Sequence, residues 1–224
     1  MKKIIVSLVL AAFVATGAFA QIQMSAGLGG NLAVSMASMS HPDYDIDPID
    51  PVIGGGFHAF FDATYATLKV GMLILGETTE ESYDYGFGAT KVTTKSTVSY
   101  LSIGILGKFP IDLGSFVLFP MLGFEYNMFL SADYEVETKA GGVTVSASGS
   151  TARGDIDKPE EMDMILVQLG VGADFSLGDK LYLRPTILWG IDFNRGEAEK
   201  DFEDNDGTIF KHKLDIGIAV GFKF

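Results

Sequence analysis

The sequence predicts an all-β fold: an eight-stranded antiparallel up-and-down β-barrel that spans a membrane with its strands. Three observations predict it. Eight segments alternate large apolar with small or polar residues at period two, the mark of a strand with two unlike faces. The connections between them alternate strictly, long then short. The most regular segment, Leu214 to Phe224, comes last and stops on an aromatic residue.

The first strand is expected over about Ile22 to Met36, with Ile22, Met24, Ala26, Leu28, Leu32, Val34 and Met36 on one face. The second, Ile53 to Ala63, sets Phe57, Ala59 and Phe61 against His58, Phe60 and Asp62. The third, Tyr65 to Leu75, sets Leu68, Val70, Met72 and Ile74 against Thr67, Lys69 and Gly71. The fourth, Val98 to Phe109, sets Leu101, Ile103, Ile105 and Phe109 against Ser102, Gly104 and Lys108. The fifth, Phe116 to Leu130, sets Leu118, Leu122, Phe124 and Tyr126 against Gly123, Glu125 and Asn127. The sixth and seventh are Met164 to Phe175 and Leu181 to Phe193, with Gln168, Asp174, Arg184 and Asp192 on their polar faces. In the eighth, Leu214, Ile216, Ile218, Val220, Phe222 and Phe224 oppose Asp215, Gly217, Ala219, Gly221 and Lys223. A soluble sandwich would carry Lys, Glu and Thr on its outer face. Here the polar face is Gly, Ser and isolated charges, which suits a narrow lumen.

Short connections are expected at Asp62–Tyr65, Pro110–Ser115 and Ser176–Lys180, where Pro110, Gly114 and Gly178 supply turn chemistry. Long ones are expected at about Ala37–Val52, Gly76–Thr97, Ser131–Asp163 and Asn194–Thr208. Within the third, Tyr134–Glu137 and Val143–Ser146 flank Gly141-Gly142 and predict a hairpin rising above the membrane. Its Glu, Lys, Ser and Thr content argues against counting it as two further membrane strands. Phe61, Tyr65, Phe109, Phe116, Phe175, Phe222 and Phe224 fall beside the short turns or the C-terminus; Tyr100, Tyr126, Trp189, Phe193 and Phe210 fall nearer the loops. That partition predicts two aromatic girdles.

Residues 1–20 read as a secretory signal peptide: Lys2 and Lys3, an apolar core from Ile4 to Val14, and Ala18-Phe19-Ala20 before Gln21. The barrel domain then occupies residues 21–224, in the cell outer membrane. That apolar core is short for spanning, and no later segment has anything near eighteen consecutive apolar residues, so the expected mode of spanning is a closed barrel that satisfies its own backbone groups. The 224-residue chain has no Cys and a formal charge of −13. The first fact excludes a disulfide framework. The second argues against a nucleic-acid partner, which would want a basic surface.

The run Val167-Gln-Leu-Gly-Val-Gly-Ala-Asp-Phe-Ser-Leu-Gly-Asp-Lys-Leu-Tyr-Leu-Arg-Pro185, the strand Pro120-Met-Leu-Gly-Phe-Glu-Tyr126 and the terminal Phe resemble the small eight-stranded outer-membrane barrels, the OmpA/OmpX-like group with its W-type relatives. The resemblance covers the whole mature chain as architecture and implies outer-membrane lipid as its surroundings. It also implies that the terminal aromatic strand, through Phe222 and Phe224, is the signal read by the barrel-assembly machinery. No periplasmic domain follows Phe224, so the peptidoglycan anchoring of two-domain members is not implied.

The candidate chemistry lies on the inward faces and in the loops. Asp62, Glu125, Asp174, Asp192 and Asp215 face Lys69, Lys108, Arg184, Lys211, Lys213 and Lys223, near-equal numbers of opposite sign. This predicts a packed network of ion pairs filling the lumen, with a selective pore as the alternative. His58 and Asp62 are spaced to titrate as a pair, with a structural hydrogen bond as the plainer reading. The long connections hold 22 of the 29 Asp and Glu and seven Lys or Arg, while the rest of the mature chain is neutral. Neither Asp43-Tyr-Asp-Ile-Asp47, with Pro48 where an EF-hand needs Gly, nor Asp204-Asn-Asp-Gly207, with Phe202 and Lys213 at the first and last ligand positions, is an EF-hand. Gly27/Gly29 and Gly170/Gly172 lie inside strands and keep the lumen face small. His212 faces outward near the loops with no Ser beside it, so no catalytic constellation, cofactor site or metal site is assigned. The expected role is a barrel anchor whose acidic loops meet an extracellular ligand; the alternative is a narrow porin-like channel or a pathway for small apolar solutes.

Overall fold

A computed structural model of the chain describes residues 23–43, 46, 49–84, 89–140, 142–205 and 207–224. The signal-peptide segment, the start of the first strand at Ile22 and parts of both acidic runs lie outside the described residues. Ten strands form: β1 (Met24–Ser40), β2 (Val52–Ala63), β3 (Ala66–Asp84), β4 (Ala89–Lys108), β5 (Ile111–Asp112), β6 (Val117–Ala140), β7 (Val143–Ala152), β8 (Met164–Ser176), β9 (Leu181–Asp192) and β10 (Thr208–Lys223). Eight of them close a ring in the order β4-β3-β2-β1-β10-β9-β8-β6, with β6 pairing back onto β4. All pairings are antiparallel. The seam runs from Ser25↔Lys223 to Ser40↔Thr208, and the Phe224 N–H donates to the Met24 carbonyl at 3.1 Å. Closure leaves the membrane-height strands without an edge, the condition for burying backbone in hydrocarbon.

The ring has the predicted strand count and connection order. Short turns fall at 64–65, 109–116 and 177–180, with Gly114 and Gly178 at φ +83° and +93°. β5 is a two-residue bridge to β6 inside the second turn. Several strands run further than their apolar rows. The segment Gly76–Thr97, expected as a loop, is the paired upper half of β3 and β4, in register out to Asp84↔Ala89. The eighth strand begins at Thr208, not Leu214. The predicted hairpin is β6–β7, with Gly142 at φ +81° in its turn. The upper halves of β3, β4 and β6 together with β7 therefore form a four-stranded sheet that projects beyond the barrel.

One bulge decides how that sheet is oriented. Tyr100 pairs with Phe129 but Ser99 pairs with Ser131, so Leu130 is an extra residue on β6. Below it, odd-numbered residues of β6 (Glu125, Asn127, Phe129) point into the barrel. Above it, even-numbered residues do, and Ala132 joins the internal cluster. A bulge reassigns faces in this way because side chains alternate at period two. Glu135, Glu137 and Lys139 thus lie on the outer face, beside Lys95, Thr93 and Lys91 of β4. The inner row of the sheet is Val92, Tyr134, Val136, Val145 and Ala147.

The barrel is apolar outside and mixed within. Leu28 (71% exposed), Phe57, Ile105, Leu122, Phe124, Leu169, Ile187, Ile216 and Ile218 stand open on the outer surface, while Asp62, Glu125, Arg184, Lys213 and Asp215 are buried. Phe61 lies near Phe224 and Phe116 stacks on Phe175 at the short-turn end. Trp189, Phe210 and His212 cluster at the loop end. Tyr100 corrects the expected upper girdle. It points inward, 8% exposed, edge-on to Phe129, because the strand face that carries Leu101 and Ile103 outward carries Tyr100 in.

Candidate functional site

The lumen holds two charge clusters stacked along its length. Nearer the short turns, the Asp62 carboxylate accepts from both terminal nitrogens of Arg184 (3.2 and 3.1 Å), from Lys108, from the Thr67 hydroxyl and, at 3.4 Å, from Ser25. Arg184 also donates to both oxygens of Asp174, at 2.6 and 2.8 Å. Two cations and two carboxylates make this group neutral. Its residues come from β1, β2, β3, β4, β8 and β9, so it ties opposite walls together.

Three aromatic rings enclose the guanidinium. Its centre lies 5.1, 5.0 and 4.9 Å from the ring centres of Phe60, Phe119 and Tyr182, distances at which a cation is attracted to the ring face. Each ring leans over a glycine. An added Cβ would sit 2.5 Å from the Phe60 ring at Gly27, 2.5 Å from Phe119 at Gly172 and 2.1 Å from Tyr182 at Gly221. These glycines do more than keep the lumen face small: they are the seats of the rings. Tyr182 also shares a 2.7 Å hydrogen bond with Ser25.

The second cluster lies midway. Glu125 pairs with Lys213, with Lys69 at 3.4 Å, and accepts from the Asn127 amide at 3.1 Å. Asp215 pairs with Lys213 at 3.1 Å and accepts from Asn31 (2.8 Å) and Gln168 (3.4 Å). This group too has two charges of each sign. A buried charge is tolerated only when paired and hydrogen-bonded, and here both conditions hold. His58 does not pair with Asp62. The Asp62 oxygens are taken by the lower cluster, and His58 lies one cluster higher, its ring 6.4 Å from Phe60 and its edge beside Lys69 and Glu125. Two small cavities of about 20 and 30 Å³ lie beside His58 in the lumen.

The loop end is closed by apolar side chains and pinned loops. Ala33, Leu73, Leu75, Tyr100 and Phe129 form a buried cluster on which Ile156 packs from the third long connection and Met164 from the start of β8. Asp163 anchors that connection: it accepts from both terminal nitrogens of Arg153, from the Tyr126 hydroxyl and from the Phe129 N–H at 2.8 Å. Burial alone would raise the Asp163 carboxyl, but those donors outweigh it and hold its pKa below the ordinary value. The Asn194 amide donates to the carbonyls of Glu160 (2.8 Å) and Asp163 (2.7 Å), joining the third connection to the fourth. Helix α1 (Glu197–Asp204) of the fourth is held by Glu199, which pairs with Lys211 at 3.0 Å; Lys211 also lies 3.5 Å from Asp192. A cavity of about 190 Å³ remains beneath these loops, between Asp163, Asp192, Lys211 and Tyr100.

The structure thus brings Asp62, Lys108, Asp174 and Arg184 together in one group, and Lys69, Glu125, Lys213 and Asp215 in another. Asp192 sits apart at the rim. Sequence reasoning missed the rings Phe60, Phe119 and Tyr182, and the anchors Asp163, Arg153 and Asn194. Phe119 is legible as an odd large residue on the small-residue face of its strand; the loop anchors carry no periodic signal. Among the described residues no three His, Asp or Glu side chains converge as a metal site.

No family model matches the chain, and no curated protein does. Among solved structures it is similar to neisserial surface protein A, with a TM-score of 0.41 and 13% identity, over 89% of this chain and 97% of that one. It is similar to Ail, the attachment invasion locus protein of Yersinia pestis in complex with the heparin analogue sucrose octasulfate (TM-score 0.37, 10% identity, 90% and 99% covered). It is also similar to the outer membrane protease OmpT from Escherichia coli (TM-score 0.35, 10% identity, 91% and 96% covered). Scores and identities this low carry no conclusion about activity or ligand.

Proposed function

We propose that this protein is an exported, integral outer-membrane barrel that works as a stable anchor for an acid-rich extracellular surface, and not as a pore. The observation that carries the reading is the inverted distribution of polarity: the outer rows of all eight barrel strands are exposed and apolar, and the charges are inside. Each large apolar side chain gains about 1.5–3 kcal/mol when taken out of water, so a continuous belt of them fits lipid and not solvent. Residues 1–20 serve as the cleaved export signal in this reading, and residues 21–224 as the barrel. The two neutral clusters and the apolar closure above them supply the plug.

Conductance of the purified protein in planar lipid bilayers tests the plug. Silence across voltage and pH is expected; reproducible open-channel steps would favour the narrow channel or solute pathway instead. A heat-modifiability gel on detergent-extracted protein tests the membrane barrel, with a shift in migration on boiling expected. Phe222 and Phe224 are proposed as the signal read by the assembly machinery. Phe224→Asp should lower the level of membrane-assembled protein more than deletion of any one long loop, measured by immunoblot of outer-membrane fractions.

A further inference from the structure

The cavity beneath the third and fourth long connections has about 190 Å³ of room. One water needs about 10–15 Å³, so the space suits a small organic molecule. Part of its wall is apolar: the Tyr100 ring, Met162, Met164 and Leu166. The charged residues around it are Glu161, Asp163, Asp192, Lys211 and Lys213. Some of these charges are balanced. Arg153 neutralises Asp163, and Lys213 belongs to the neutral middle cluster. The others are not. Lys211 is shared between Glu199 at 3.0 Å and Asp192 at 3.5 Å. Lys158 is shared between Glu197 and, at 3.9 Å, Glu161. Each lysine serves two carboxylates, so each group keeps one negative charge in excess. Nearby, Arg195 and Lys200 stand against Asp201, Glu203 and Asp204, and no spare cation offsets that excess.

Two polar atoms of the wall also lack a hydrogen bond. The Asp192 side chain is 5% exposed. Its Oδ1 accepts from the N–H groups of Ile165 and Asn194, each at 3.0 Å. Its Oδ2 accepts no hydrogen bond among the described residues, and Lys211, 3.5 Å away, lies closer to Glu199. The Tyr100 hydroxyl on β4 has no hydrogen-bond partner among the described residues either. A buried carboxylate oxygen short of a donor is costly, and a charged N–H is the donor that satisfies it best. We propose that this cavity binds a short aliphatic diamine. One ammonium donates to Asp192 Oδ2 and to the Tyr100 hydroxyl. The methylenes lie against Leu166, Met162 and Met164. The second ammonium meets Glu161, whose side chain is one-third exposed at the rim. Two charges on one flexible chain match two separate excess charges. A bare metal ion does not, because among the described residues no three His, Asp or Glu side chains converge to hold it. The inference deepens the reading of an acid-rich surface anchor by naming a ligand class, and rests on that reading.

The probe is diaminobutane, titrated by calorimetry into the full chain in detergent micelles at physiological ionic strength. Saturable one-to-one binding is expected, at least tenfold tighter than that of butylamine, with none of butanediol. Asp192→Asn keeps an oxygen for the Ile165 and Asn194 N–H groups and should weaken binding at least tenfold. Tyr100→Phe keeps the ring against Phe129 and should weaken it roughly fivefold, as for one hydrogen bond. Glu161→Gln should bring diaminobutane down to the affinity of butylamine and leave butylamine unchanged. Glu135→Gln, out on the projecting sheet, should change binding less than twofold. Butylamine or butanediol binding as tightly as diaminobutane, or displacement of diaminobutane by equimolar magnesium, would overturn the site; these measurements need no variant and stand even where a variant misfolds. Unchanged affinity in Asp192→Asn protein that keeps the heat-modified gel shift would overturn it too. Unmutated protein that shows the gel shift but binds no diaminobutane removes the diamine site alone; unmutated protein without the shift removes the barrel reading beneath it.

Discussion

The lumen and the projecting sheet use the same side chains to opposite effect. In the lumen, Asp62 and Arg184 are each 5% exposed, and their side chains are held by seven other residues. On the sheet, Lys95 and Glu135 approach to 3.4 Å with 58% and 50% of their side chains in solvent. The first pair has surrendered its hydration and depends on its partners. The second keeps its hydration and depends on little. The difference teaches that a carboxylate–cation contact gets its weight from the solvent it excludes, not from its distance.

The largest effect that sharpens this contrast is expected at Arg184. Arg184→Met removes one cation from two buried carboxylates and empties the space between three rings. It should cost about 3–5 kcal/mol, the range for leaving a buried charge without its partner, read by urea unfolding from lipid vesicles. A loss under about 1 kcal/mol would mean that the lower cluster is as well hydrated as the sheet. The middle cluster offers a compensation test. Lys213→Met leaves that group with an uncompensated negative charge, and adding Asp215→Asn restores a neutral Glu125–Lys69 pair. The double variant should recover at least half of the single variant's loss; an additive loss would show that packing, not charge balance, holds the cluster.

Asp163 lies between the two regimes. Its depressed pKa means that its contribution is present above the ordinary carboxylate value of 3.8 and is lost as pH falls through the lower folded value. Protease cleavage within residues 153–163 should therefore rise only as the pH drops below that window, and Asp163→Asn should expose the same segment at neutral pH. The smallest effect is expected on the sheet. Lys95→Ala should change stability by about 0–1 kcal/mol and should lose even that in high salt.

Much of this arrangement is legible in the sequence. Period two puts Asp62, Lys69, Lys108, Glu125, Asp174, Arg184, Lys213 and Asp215 on rows opposite the large apolar residues, and the structure has them inside. The same rule misleads above Leu130. Carried on from Glu125, it would put Glu135 and Glu137 in the lumen, and one inserted residue puts them outside. It also misassigns Gly76–Thr97, because a strand that leaves the membrane loses its apolar row but not its hydrogen-bonded neighbour.

The sequence by itself determined the eight strands at membrane height, their two faces there, the order of long and short connections and the closing role of Leu214–Phe224. All of these follow from local backbone geometry and side-chain alternation. The tertiary structure alone decided which charge meets which. Asp62 and Arg184 are 122 residues apart, and their contact depends on the stagger with which the barrel closes. It also decided that Gly27, Gly172 and Gly221 seat the rings around Arg184, and that β3 and β7 lie at opposite edges of the projecting sheet. Stagger and edge are properties of strand pairing, and no single strand's sequence contains them.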